Sequence, residues 1–269
     1  MCETPIDEVV MADQLAPVVD AKSDSGGVRA VNRALDLLIA LACWDRPAGL
    51  TELARRVELH PSTALRLLDS LRSRRFVHQT ANGTYVLGAK NFELGNAYLQ
   101  NVSVWSQANQ LAEQLAITTG ETASVGVLDS GQILYIAIAR GQQDMGIASA
   151  PGTRHPAYCT SLGKAILADL SGEKVLEVLR NDPPERLTPQ TLTNIAELQR
   201  DLATTRRRGY SIDNEERTPG VVCIGAAIRD HKGDPLGALS ISGPAQRIRQ
   251  KGVEQLGRVV SETAMSFST

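Results

Sequence analysis

The chain has 269 residues, 42% of them hydrophobic and 22% charged, with a formal net charge of −2; that suits two domains of ordinary globular composition. No run of about 18 apolar residues would span a bilayer, and the acidic start MCETPIDEVVMADQ lacks the basic and apolar regions of a secretory signal. The four cysteines (Cys2, Cys43, Cys159, Cys223) are far apart with no CxxC pair, which argues against disulfides or zinc and for a reducing cytoplasm.

Charge is unevenly spread. Residues 1–25 carry Lys22 against six carboxylates and run into Ser-Asp-Ser-Gly-Gly, a composition expected of a disordered tail. Residues 26–90 carry nine Arg and Lys90 against five carboxylates, the balance of a polyanion-binding module. From Val28 apolar residues recur at helical steps through Val31, Ala34, Leu35, Leu38, Leu41 and Ala42. Arg46-Pro47-Ala48-Gly49 breaks that helix. A short helix follows in TELARRVEL, with Thr51 as its cap and Leu53, Ala54 and Val57 inward. His60-Pro61 opens another helix with proline at its first position and Ala64, Leu67, Leu68 and Leu71 on its apolar face. FVHQT and TYVLG are short β-type runs joined by Ala81-Asn82-Gly83, a hairpin signal.

Residues 91–118 read as one long helix or two in succession, of which 91–105 form the link between a domain at 26–90 and another at 106–269. Beyond Gly120, ETASVGVL and ILYIAIA flank the turn Asp129-Ser130-Gly131-Gln132. Helices are expected at Ser161–Asp169, Lys174–Leu179 and Thr191–Arg208. Two further β runs, VVCIGAAIRD and ALSISG, are joined by the turn 231–235, and a helix at 251–266 closes the chain.

Helix, helix, short turn, helix and hairpin is the order of a winged helix-turn-helix. Its second motif helix must present small or hydrogen-bonding residues to the major groove; Ser62, Thr63 and Arg66 lie on that face. Arg55, Arg56, Arg72, Arg74 and Arg75, with Arg29 near the start of the module, suit phosphate contacts. Asn82 marks the tip of the wing. The competing readings are a winged helix used only for protein contacts and an enzyme with a DNA-binding appendage. The second finds little support. Leu162-Gly163-Lys164-Ala165 lacks the rest of a phosphate loop, and HExxH, GxSxG and GxGxxG are absent. His60, His78, His155 and His231 fall in unrelated segments, so no metal or other cofactor is expected. Glu215-Glu216 beside Arg217 reads as a solvent-facing loop.

The segments VNRALDLLIAL, LTELARRVELHPSTALRLLDSLRSRRFV and the strand YVLG resemble the DNA-binding domain of IclR-type bacterial regulators. HPAYCTSLGKAILA, GYSIDNEERTPGVVCIGAAIRD and GALSISGPAQRI resemble that family's effector-domain blocks, in order and at similar spacing. The resemblance implies an α+β chain: a winged helix-turn-helix, a linker helix, and a GAF-like effector domain with an antiparallel sheet. It further implies a regulator, commonly a repressor, of a catabolic or metabolic operon. Its partners would be operator DNA, a small effector such as an organic or aromatic carboxylate, and further copies of itself as a dimer or dimer of dimers. Ser161, Leu162, Asp213, Cys223, Ser240 and Ser242 match effector-contacting positions. Many relatives carry Leu and His where this chain has His155 and Tyr158, a departure that bears on the ligand.

The residues themselves are compatible with such a site. Side chains alternate along a strand, so Ser240 and Ser242 share one face, as do Val221, Cys223 and Gly225. Small and hydroxyl-bearing residues there leave room for a ligand. Ser161-Leu162-Gly163 open a helix whose first N–H groups suit a carboxylate. Tyr158 and His155 are candidates for the pocket or its mouth.

Overall fold

The structure, a computed structural model, describes residues 27–142 and 150–267. The acidic segment 1–25, expected to be disordered, lies outside them. The chain divides into two compact units between Asn101 and Val102.

In the first unit α1 (Arg29–Ala42), α2 (Leu50–Arg56) and α3 (Pro61–Ser73) are followed by the hairpin β1 (Val77–Gln79) and β2 (Tyr85–Leu87), then α4 (Ala89–Leu99). Leu37, Ala40, Leu41, Leu53, Ala54, Ala64, Leu68, Val77 and Tyr85 form its core. Pro61 occupies the first position of α3, and His60 caps it, its Nδ1 accepting from the Ser62 N–H at 3.3 Å. Asn82-Gly83 makes the hairpin turn with Gly83 at φ 78°. Ala48, in the segment that breaks α1, exchanges two backbone hydrogen bonds with Tyr85 and extends the small sheet.

One local expectation is corrected. Thr51 lies within α2, whose cap is Gly49 without a side-chain bond. In α1 the inward residues are Leu37, Ala40 and Leu41, whereas Val31 and Leu35 are 53% and 51% exposed. The helix carries two apolar stripes, so periodicity alone cannot say which one faces its own core. The link is two helices: α4 stops at Leu99, and the next helix, α5 (Trp105–Thr119), starts after a non-helical stretch at 100–104.

The second unit is built on a six-stranded antiparallel sheet. Its strands are β3 (Thr122–Asp129), β4 (Gln132–Ala139), β5 (Arg154–Pro156), β6 (Ser211–Asn214), β7 (Val221–Arg229) and β8 (Pro235–Pro244), in the order β5-β4-β3-β8-β7-β6. Leu239, Ile241, Ile224 and Ile228 are fully buried on one face, covered by α5 and by α10 (Val253–Met265). The other face carries α6 (Ser161–Asp169), backed by α8 (Ile195–Arg208), with α7 (Gly172–Asn181) joining the same apolar core through Val175 and Leu179.

α6 has the expected bounds. α8 begins at Ile195, capped by Asn194, because the Thr191 hydroxyl is taken by the Glu216 carbonyl at 2.7 Å. The closing helix is two, α9 (Ala245–Lys251) and α10, divided at Gly252 with φ 89°. The strands β5 and β6, three and four residues long, are too short to show an alternating pattern.

Candidate DNA interface and effector site

Ser62 and Arg66 are exposed on the first two turns of α3, and Thr63 is half-buried beside them. The Ser62 hydroxyl lies 2.8 Å from His60 Nδ1, so the cap histidine orients the first residue available to a groove. Arg29 and Arg55 are exposed at the start of α1 and the end of α2, and Asn82 at the hairpin tip. At the far end of α3, Arg72 pairs with Asp69 at 2.9 Å, while Arg74 and Arg75 face solvent. Arg75 holds a left-handed backbone, φ 65°, which ends α3 and turns the chain into β1. That corner leaves no room at Gly88, where a Cβ would stand 2.2 Å from the Arg75 carbonyl oxygen.

The effector-side residues are ordered by strand register. Asp213 is opposite Cys223, Cys223 opposite Ser242, and Ser242 opposite Thr122, so four polar side chains form one row across β6, β7, β8 and β3. The Cys223 thiol is flanked across the register by Asp213 and Ser242. Burial raises this thiol far above its ordinary pKa and pushes Cys159 up to about 12; both remain protonated and act as weak donors. The next row back is Ser211, Gly225, Ser240 and Ser124.

α6 lies over that second row. A Cβ at Gly225 would come within 2.8 Å of the Ser161 carbonyl, and Ser211 Oγ donates to the same carbonyl at 2.5 Å. At the other end Asp169 meets Arg229, Nε to Oδ2 2.6 Å. From Gly225 to Arg229 a strand advances about 13 Å, close to the length of the nine-residue helix. α6 therefore runs alongside β7, and its N-terminus points back at the row of Asp213, Cys223 and Ser242. Thr160 caps the helix, accepting from the Gly163 N–H at 3.2 Å. The N–H groups of Ser161 and Leu162, having no acceptor within the helix, head toward the polar row.

The structure thus brings together Ser161, Leu162, Asp213, Cys223 and Ser242. Ser240 sits one row deeper, beneath Ser161. Val221, paired with Pro244, lies one row outward at the rim. The Leu162 side chain is fully buried core, so its contribution to the site is its backbone. Tyr158 stands apart: its ring is buried and its hydroxyl is held by the Glu185 carbonyl at 3.1 Å and the Glu185 N–H at 3.0 Å. His155 does join the site. Its ring meets Tyr135 edge-on at 5.2 Å, and its Nδ1 lies 2.7 Å from Arg217 Nη2.

One expectation is overturned outright. Glu216 is buried, not solvent-facing: its Oε1 is 2.5 Å from Lys164 Nζ. Lys164, 1% exposed, also reaches Asp201 at 2.9 Å. Burial pulls the Lys164 ammonium down, but the two carboxylates outweigh it and its pKa is raised. Asp213 accepts the backbone N–H groups of Glu216 and Arg217 at 2.8 and 3.3 Å. Burial and the neighbouring Glu216 nevertheless push Asp213 up to about 7.

A winged helix-turn-helix joined to a sheet domain with a buried polar row facing a helix N-terminus fits a DNA-binding regulator with an effector-binding domain. The comparisons with known proteins agree. Residues 30–81 match the IclR helix-turn-helix domain, and residues 96–269 match the C-terminal domain of bacterial IclR transcriptional regulators. The chain is 36% identical over 246 residues to the HTH-type transcriptional regulator BhcR of Paracoccus denitrificans, covering 91% of this chain and 88% of that one. It is 35% identical over 251 residues to the transcriptional repressor IclR of Escherichia coli, covering 92% of each. The crystal structure of the Thermotoga maritima IclR superposes with a TM-score of 0.75 at 30% identity, covering 87% of this chain and 95% of that one. The chain belongs to the IclR family of DNA-binding transcriptional regulators. No helix among the described residues is long and apolar enough to cross a membrane.

Proposed function

We propose that this protein represses a metabolic operon and that a small organic acid, bound between the N-terminus of α6 and the row Asp213–Cys223–Ser242, changes its affinity for operator DNA. The observation that carries this reading is that row itself: three hydrogen-bonding side chains in register, faced by the first turn of α6, whose N–H groups have no acceptor within the helix. A helix N-terminus favours an anion. Ser62, Thr63 and Arg66 read bases, while Arg29, Arg55, Arg72, Arg74, Arg75 and Asn82 contact the phosphate backbone and position the module.

The protein acts as a homodimer or a pair of dimers. A single helix-turn-helix reads only a short half-site. In the first unit Val28, Val31, Leu35 and Ile39 of the α1 region and Phe92, Leu94 and Tyr98 of α4 are exposed, and α4 buries none of its own residues. A second copy is the occupant that covers these stripes, since it also supplies the second half-site. Selection of bound duplexes from a random pool, followed by anisotropy titration with and without a panel of organic acids, tests the whole reading. It fails if no sequence is enriched, or if no acid alters binding to the enriched sequence.

A further inference from the structure

Arg217 belongs to the loop between β6 and β7, a stretch whose charges suggest simple exposure. Its position is different. The backbone N–H of Arg217 is bound to Asp213 Oδ1 at 3.3 Å, which fixes the start of the side chain beside the polar row. Nη2 is held by His155 Nδ1 at 2.7 Å, and Nη1 reaches the neighbouring Thr218 hydroxyl, at 3.4 Å. Nε is buried and, among the described residues, has no hydrogen-bond partner.

The charge is uncompensated as well. Among the described residues no carboxylate forms an ion pair with Arg217. Glu215 is taken by Arg249 at 2.6 Å, and Glu216 by Lys164. Asp213 turns its Oδ1 to backbone N–H groups. His155 does not supply the missing charge. Burial, and then Arg217 itself, push its pKa down to about 4. The imidazole is therefore neutral and offers Nδ1 as an acceptor, which orients the guanidinium without neutralising it. The backbone N–H on Asp213 Oδ1 and Nη2 on His155 Nδ1 set the guanidinium between the polar row and the His155 ring.

A buried guanidinium N–H without an acceptor, on a cation without an anion, is an unusual arrangement. It is resolved by a ligand that brings both. We propose that Arg217, oriented by His155, holds the carboxylate of the effector and makes this site selective for organic acids over their neutral analogues. This rests on the effector site proposed above and names the residue that sets its ligand class. The Arg217 backbone is anchored on Asp213, in the row that the α6 N-terminus points back at, so one carboxylate takes both a guanidinium N–H and a helix N–H. Asp213, Cys223 and Ser242 are left to read the rest of the molecule.

The test is calorimetry on the full chain with acetate, pyruvate and benzoate, each paired with its amide. The wild type is expected to bind at least one acid more tightly than its amide. Arg217→Gln should weaken that acid roughly 10- to 100-fold, the worth of a hydrogen-bonded charge, while affinity for the amide barely changes. Ser242→Ala should weaken acid and amide alike. If Arg217→Gln does not fold, Arg217→Lys carries the test: it keeps the charge, loses the planar donor array and the His155 contact, and should weaken the acid while sparing the amide. Full acid preference in the Arg217 variant, with Ser242→Ala still impaired, overturns the assignment and leaves the effector site standing. Absence of binding by any acid at millimolar concentration overturns both.

Discussion

Lys164 Nζ lies 2.5 Å from Glu216 Oε1, an ion pair between residues 52 apart in sequence, with both side chains removed from solvent. Taking two such charges out of water is costly, and removing one leaves the other stranded. Lys164→Met should therefore destabilise the protein by about 3–5 kcal/mol, because Glu216 and Asp201 would then face each other unneutralised. The Glu216 loop also carries Arg217 and donates two N–H groups to Asp213. The loss should thus weaken acid binding in the fraction that stays folded. Denaturant unfolding followed by calorimetry checks both, and near-wild-type stability would show that the pair is dispensable.

The DNA interface makes a sharper distinction. Arg66→Ala should cost about 1–3 kcal/mol on the preferred duplex and relax its sequence preference, as loss of a base contact does. Arg75 calls for a different substitution, since its φ of 65° penalises alanine but suits glycine. Arg75→Gly should weaken all duplexes alike and lower the salt slope by about one. Anisotropy titrations across salt concentration on preferred and scrambled duplexes separate the two. Unchanged slope and preference in both variants would reject this docking.

The buried carboxylate predicts a pH dependence. Asp213 is faced by Glu216 and Arg217 of its own loop, Lys164 of α6, Cys159 ahead of α6 and Cys223 of β7. With its pKa pushed up to about 7 by burial first and Glu216 second, against about 3.9 unfolded, the native state binds the extra proton between those values. Stability is then greatest below about pH 4 as far as this group is concerned and falls as pH rises toward 7. Glu216, also raised by burial, adds to the same trend. An acid bound nearby favours protonated Asp213 further, so its affinity should fall by up to about tenfold per pH unit above 7. Asp213→Asn should flatten both profiles in denaturant unfolding and calorimetry. Unaltered slopes in this variant would place the titrating group elsewhere.

How much of this was legible beforehand follows from which signals are local. Pro61 after a histidine, the leucines of α3 and the Asn82-Gly83 turn are encoded within a few residues, and the winged helix followed from them. Alternation placed Cys223 and Ser242 on strands, and the apolar run from Ser161 marked α6, whereas Asp213, on a strand of four residues, was pointed to only by the family resemblance. Non-local pairings stayed hidden. Glu215-Glu216-Arg217 has the look of a surface loop because Lys164, Asp201 and His155 are distant in sequence. Tyr158 resembled a pocket residue because nothing nearby announces that the Glu185 backbone claims its hydroxyl. The two apolar stripes of α1 left its inward face undetermined until α2 and α3 were in place.

If the acid controls DNA binding, the two ligands are thermodynamically coupled, and reciprocal titrations read that coupling. Operator duplex is titrated into the full chain with and without the acid that binds most tightly in calorimetry, and the acid is then titrated with and without operator. Each ligand should change the other's affinity by the same factor, on the order of 5- to 150-fold. Arg217→Gln should keep ligand-free DNA affinity and lose most of the response. Equal operator affinity with and without saturating acid would show that the acid does not control DNA binding, whatever the strength of either ligand alone.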